Sequence, residues 1–144
     1  MSELSMTVSK TMNVPIESVF KAWLDPEMLG KFMMPGEGMT IPKVETDARE
    51  GGRFSIIMKG KDGEYPHGGE YKKIEPFTRI VFTWESEFSP EGSTVTVQLS
   101  ETDEGTHVEL THVKFLDEER RSNHEGGWTM ILTHLDQVLT QQLN

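Results

Sequence analysis

Between Met39 and Phe115 the sequence divides into six short stretches of alternating apolar and polar residues, and it then gives way to one long amphipathic helix. This succession of periods constrains the fold more than any other feature. Alternation with a period of two puts successive side chains on opposite faces of a strand, so each stretch has an oily face that must be covered. The stretches run about Met39–Asp47, Gly52–Lys59, Glu64–Glu75, Thr78–Phe88, Ser93–Glu101 and Thr106–Phe115. Between them lie Glu50-Gly51-Gly52, Lys61-Asp62-Gly63, Pro76-Phe77, Pro90-Glu91-Gly92 and Asp103-Glu104-Gly105, short and rich in turn formers. A meander of antiparallel hairpins is expected.

The ends of the chain supply the remaining elements. Leu4 to Met12 alternates as a half-buried strand does. Pro15 suits the first position of a helix whose face is Ile16, Val19, Phe20 and Trp23. Asp25-Pro26 interrupts it, and Pro26 through Phe32 reads as a second short helix, followed by the Met-rich loop Met33-Met34-Pro35-Gly36-Glu37-Gly38. After Phe115, Asp117 to Arg121 has helix-forming composition. Gly126-Gly127 then intervenes before a long helix with the stripe Trp128, Ile131, Leu132, Leu135, Val138 and Leu139. Its natural partner is the inner face of the meander, which predicts an α+β fold in one domain spanning residues 1–144.

Parity separates inside from outside. Phe54, Ile56 and Met58 share a face, as do Ile80, Phe82 and Trp84, then Val95, Val97 and Leu99, then Val108, Leu110 and His112. Arg53, Lys59, Arg79, Glu85, Thr94, Gln98, His107 and Glu109 lie opposite. A strongly twisted sheet is too wide for one helix face to fill, which predicts an apolar cavity between them. Its expected walls are Phe54, Ile56, Phe82, Trp84, Val97, Leu110 and the helix residues Trp128, Ile131, Leu132 and Leu135, with His112 and Tyr71 as polar anchors. The stretch Tyr65, His67, Gly69, Tyr71 is polar and aromatic on one parity; if it faces inward the cavity has hydrogen-bonding groups as well as oil. Gly69 marks a close approach of another strand or a ligand, and Pro66 an irregular start or a sheet edge.

Composition removes several function classes. A net charge of −10 repels phosphate backbones, so nucleic acid is not an expected partner. No apolar run approaches the ~20 residues of a membrane span. Residues Met1 to Val8 lack the pattern of a secretory signal, and the chain has no cysteine, hence no disulfide, thiolate nucleophile or cysteine metal site. A cytoplasmic location is the default expectation. No serine has an identifiable activating base and orienting acid, and the histidines lack metal-ligand spacing. No catalytic residue, metal or cofactor is predicted. Gly51-Gly52 and Gly68-Gly69 lie between strands, which favours turns and a strand kink over a phosphate loop. Asp47 and Arg49 are placed to form a structural ion pair beside the first glycine turn.

Four motifs together resemble a known family. The segment from Pro15 to Glu27, PIESVFKAWLDPE, is similar to the opening signature of the activator of heat shock protein 90 ATPase homologue-like proteins, members of the START-like (SRPBCC) superfamily. Asp47 to Gly52, DAREGG, resembles that family's D-x-R-x-G-G turn. Gly69–Ile74 with Arg79–Trp84 resembles its central hairpin, and His124 to Trp128, HEGGW, the approach to its last helix. The resemblance implies a helix-grip fold, a seven-stranded curved antiparallel sheet wrapped around a long C-terminal helix with two short helices between strands 1 and 2. It also implies a hydrophobic cavity, without implying one activity. Where relatives commonly carry tryptophans after the first helices, this chain has Phe32-Met33-Met34, either an adaptable cavity rim or ordinary core packing.

The leading functional expectation is binding of a small hydrophobic or aromatic molecule without covalent chemistry. The alternatives are a polyketide cyclase-like enzyme using His112, His124 or Tyr71 for proton transfer, and an interaction protein with a chaperone partner. The chaperone is less expected because the chain shows no additional N-terminal domain of the co-chaperone kind. Either a monomer or a homodimer is compatible with the sequence.

Overall fold

The computed structural model describes residues 4–143 apart from Pro35, Glu37 and Phe88. The chain runs β1 (Ser5–Met12), α1 (Ile16–Ala22), α2 (Pro26–Phe32), β2 (Thr40–Thr46), β3 (Arg53–Gly60), β4 (Gly63–Glu75), β5 (Arg79–Thr83), β6 (Thr94–Thr102), β7 (Gly105–Val113) and α3 (Glu118–Leu143). The strands form one seven-stranded sheet in the order β1-β7-β6-β5-β4-β3-β2, every pairing antiparallel. Strands β2 to β7 are the expected meander, and β1 closes the far side by pairing along β7. The curved sheet with its long C-terminal helix is an α+β helix-grip fold.

Strand parity is as the alternation requires. Phe54, Ile56, Met58, Ile80, Phe82, Trp84, Val95, Val97, Leu99, Val108, Leu110 and His112 are all buried, and so are Trp128, Ile131, Leu132, Leu135 and Leu139 on α3. One irregularity resets the parity of β4: register shifts between Tyr71 and Lys73, so that Tyr71 pairs with Phe82 and Ile74 with Ile80. The extra residue bends the strand, as bulges do.

Glycines stand where the chain closes on itself. A Cβ on Gly69 would lie 1.9 Å from the Thr83 carbonyl oxygen and 2.7 Å from the Phe54 ring, so only glycine lets β5 and that ring approach β4. At the turn between β2 and β3 a Cβ on Gly52 would sit 2.1 Å from the Asp47 carbonyl. That turn is tied to β4, with Gly51 N–H donating to the Tyr71 carbonyl at 2.8 Å and Tyr71 N–H to the Gly52 carbonyl at 2.9 Å. The expected Asp47–Arg49 ion pair forms there, Arg49 Nε lying 3.0 and 2.9 Å from the two carboxylate oxygens.

Three expectations differ. Pro15 is the cap residue before α1 rather than its first helical residue, with an extended ψ of 147°. Pro26 holds the first-turn position in α2, behind Asp25, whose carboxylate accepts from Glu27 N–H at 2.9 Å. The stretch from Thr78 to Phe88 ends early. Regular pairing in β5 stops at Thr83, and only an isolated bridge from Glu85 to Gly68 continues it; Phe88 lies outside the described residues. Finally, Gly126-Gly127 does not separate two helices. Asp117 caps a single helix by accepting from Arg120 N–H at 2.9 Å, and α3 then runs unbroken for 26 residues. The side-chain cap and burial of the stripe beyond offset a penalty of roughly 1 kcal/mol per mid-helix glycine.

Candidate functional site

The predicted walls mostly meet one another. Phe54, Tyr71, Phe82 and Trp84 form a ring cluster with centroids 5.4 to 6.4 Å apart. Phe54, Ile56, Tyr71 and Phe82 enclose, with Trp23, Leu29 and Met33, a void of only about 10 Å³. That is smaller than a ligand, and Met33 is ordinary core packing there, 2% exposed. Val97, Leu110, Leu132 and Leu135 are likewise core residues, each at most 1% exposed.

Open volume lies to one side. A cleft of about 560 Å³ opens between β3–β4 and the N-terminal half of α3, lined by Met39, Met58, Tyr65, His67, Glu119, Arg120, Asn123, His124, Gly127, Trp128 and Ile131. Of the residues read from the sequence as walls, Trp128 and Ile131 reach it. Both follow from the helical stripe. The inward parity of β4 brings Tyr65 and His67 into the same space, while Tyr71, two pairs further along, is buried in the core. Gly127 adds room, since it contributes no side chain to the wall. Met39, Met58, Glu119, Arg120, Asn123 and Gly127 had no distinguishing sequence signal as site residues. Where the helix parts from the sheet is decided by packing, not by periodicity.

The histidines divide into two kinds. His112 is fully buried, and Trp128 Nε1, which can only donate, lies 3.0 Å from its Nδ1. Nδ1 is therefore the bare nitrogen, and Nε2–H donates to Ser93 Oγ at 2.6 Å. Both ring nitrogens are taken by the protein, so His112 offers a ligand no free atom. Burial first, and the neighbouring His124 second, push its pKa down to about 3. In His67 and His124 Nδ1 is instead the donor. Each places Nδ1 against a backbone carbonyl, His67 on Tyr65 O at 2.9 Å and His124 on Arg120 O at 2.7 Å, and a carbonyl only accepts. Burial lowers the pKa of His67 to about 4. Similarly, burial pushes the Tyr71 phenol well above its ordinary value.

Aromatic contacts tie core and cleft together. Trp84 lies tilted against His67 at 5.1 Å and meets Trp128 edge-on at 5.0 Å, and His112 contacts His124 at 5.2 Å. At the mouth, Arg120 Nη1 lies 2.6 Å from Asp117 Oδ2, while its Nε is enclosed without a partner among the described residues. Among those residues no cluster of three or more histidine, aspartate or glutamate side chains could hold a metal.

Residues 13–140 match the family described as Activator of Hsp90 ATPase homolog 1-like protein. The chain belongs to this family. Solved structures agree on the fold of this Activator of Hsp90 ATPase homolog 1-like chain. A Chromobacterium violaceum protein superposes with a TM-score of 0.86 at 26% identity, covering 94% of this chain and 96% of that one. An AHSA1-like protein from Aeromonas hydrophila superposes at 0.84 with 23% identity, covering 96% and 94%. A Staphylococcus aureus protein of unknown function superposes at 0.83 with only 15% identity, covering 99% and 96%. No curated protein matches the sequence. None of the described helices is long and apolar enough to cross a membrane.

Proposed function

We propose that this protein binds a small, largely apolar or aromatic molecule in the cleft between β3–β4 and α3, without covalent chemistry. The observation that carries the reading is the composition of that 560 Å³ space: Met39, Met58, Trp128 and Ile131 give it an apolar, polarizable floor, and His67, Asn123 and His124 a few polar groups. Pockets for small molecules have this mixture and this size. Methionines adapt to ligands of different shape, and Trp128 adds an aromatic part to the wall.

Ligand-dependent stabilisation tests it. A molecule that binds only the folded state adds about 2.7 kcal/mol at a concentration 100-fold above its Kd. A screen of small aromatic compounds is expected to raise the melting temperature of the wild type and to raise that of Ile131→Trp, whose larger side chain would narrow the cleft beside Trp128, by less. Stabilisation equal in both proteins would place the binding elsewhere, and no stabilisation in the wild type would sink the reading.

A further inference from the structure

The two open histidines say more about what the cleft accepts. They come from opposite walls, His67 from β4 and His124 from α3, and both line the cleft. Because each Nδ1–H is committed to a backbone carbonyl, the neutral ring presents Nε2 as a lone pair. Among the described residues neither Nε2 has a hydrogen-bond partner. An apolar molecule covering these atoms would strip them of water and return nothing, a desolvation penalty that a ligand donor removes.

The charges beside them disfavour an acid. Glu119 lines the same cleft, and the guanidinium of Arg120 is engaged through Nη1 by Asp117, with its Nε enclosed. A carboxylate would face two lone pairs and the Glu119 anion, beside an Arg120 cation whose charge is already paired with Asp117.

We propose that the ligand class of this cleft is an apolar molecule carrying a hydroxyl or N–H donor, received by Nε2 of His67 or of His124, and that these two residues set its polarity specificity. The inference rests on the cleft being the binding site, and three matched probes separate the two claims: 2-naphthol, its methyl ether 2-methoxynaphthalene, and 2-naphthoic acid.

Calorimetric titration is expected to show 2-naphthol binding at least about tenfold more tightly than the ether or the acid, the discrimination of roughly one good hydrogen bond. In the His67→Phe/His124→Phe double variant, which keeps the ring volume, that preference should fall to about onefold. Nitrogen NMR of the wild-type histidine side chains gives a readout independent of any variant's folding. Nε2 of His67 and of His124 should resonate as bare nitrogens, and at least one should move on addition of 2-naphthol but not of the ether. Equal binding of alcohol and ether, weakened by Ile131→Trp, would overturn the donor assignment and leave the cleft standing. Preference for the acid, or Nε2 resonances that both ignore 2-naphthol, would also overturn it. Binding of none of the three at millimolar concentration would overturn the cleft reading and this inference together.

Discussion

His112 was the histidine that strand parity singled out, and the reason it stands apart from the cleft lies in its two neighbours. Parity shows that a side chain points inward; it does not show that Trp128 and Ser93 will occupy both of its nitrogens. The consequence is a pH dependence. Its folded pKa of about 3 and that of His67, about 4, lie below the unfolded value of 6.5. Between those limits the unfolded chain binds more protons, so the stability these groups contribute is complete above pH about 6.5 and is lost as pH falls toward the folded values, by at most about 1.4 kcal/mol per pH unit for each. Urea unfolding at a series of pH values should show this slope. His112→Phe should be less stable at neutral pH, with Ser93 and Trp128 left unpaired at about 1–3 kcal/mol each, yet have a shallower slope. Gly69 is the complementary case. Its significance was legible as a close approach, but not that Phe54 and the Thr83 carbonyl are what approach. Gly69→Ala should lose about 2–3 kcal/mol in the same assay, because the obstruction includes backbone that cannot swing aside.

At the scale of elements, strands were readable because alternation and turn chemistry agree along most of the meander. They were least readable where a tertiary event ends a strand. Nothing in the run from Thr78 to Phe88 announces that β5 stops at Thr83: Trp84 N–H donates to the Ser93 carbonyl at 2.8 Å on the β6 side, and Glu85 returns to β4 in the bridge with Gly68. The helix erred in the opposite direction. Gly126-Gly127 has the local look of a break, but the cap at Asp117 and the buried stripe beyond Trp128 hold the helix through it. A Cβ at Gly126 meets nothing within 4 Å, and the residue is exposed. Gly126→Ala should therefore stabilise the protein by about 0.5–1 kcal/mol, visible as a higher urea midpoint with an unchanged slope. The same change at Gly127 would intrude on the cleft.

For the whole molecule, the container was legible and its opening was not. The inner face of the sheet and the stripe of α3 were both evident as apolar surfaces, and they do cover one another. How completely they do so depends on the ring cluster around Phe54, which fills the centre, while the open cleft lies beside Trp128. Of the expected walls, Trp128 and Ile131 lie at the boundary between the filled and open parts, where Tyr65 and His67, whose direction the sequence left open, and His124 also line the cleft.

Pro66, read from the sequence as a sign of a sheet edge, has a consequence for how copies of this protein behave toward one another. Among the described residues, β4 pairs from Gly63 to His67 with β3 alone, because β5 reaches no further than the bridge at Gly68. Gly68 N–H points toward β5, where it donates to Glu85 at 2.9 Å, and backbone donors two residues apart point the same way along a strand. The missing N–H of Pro66 thus falls on the unpaired side, interrupting the row of donors that another chain's strand would need. Pro66→Val would restore it beside an oily cleft. Light scattering of concentrated solutions should detect the resulting self-association, and a variant that stays as dispersed as the wild type would show that the bend in β4 protects the edge without the proline.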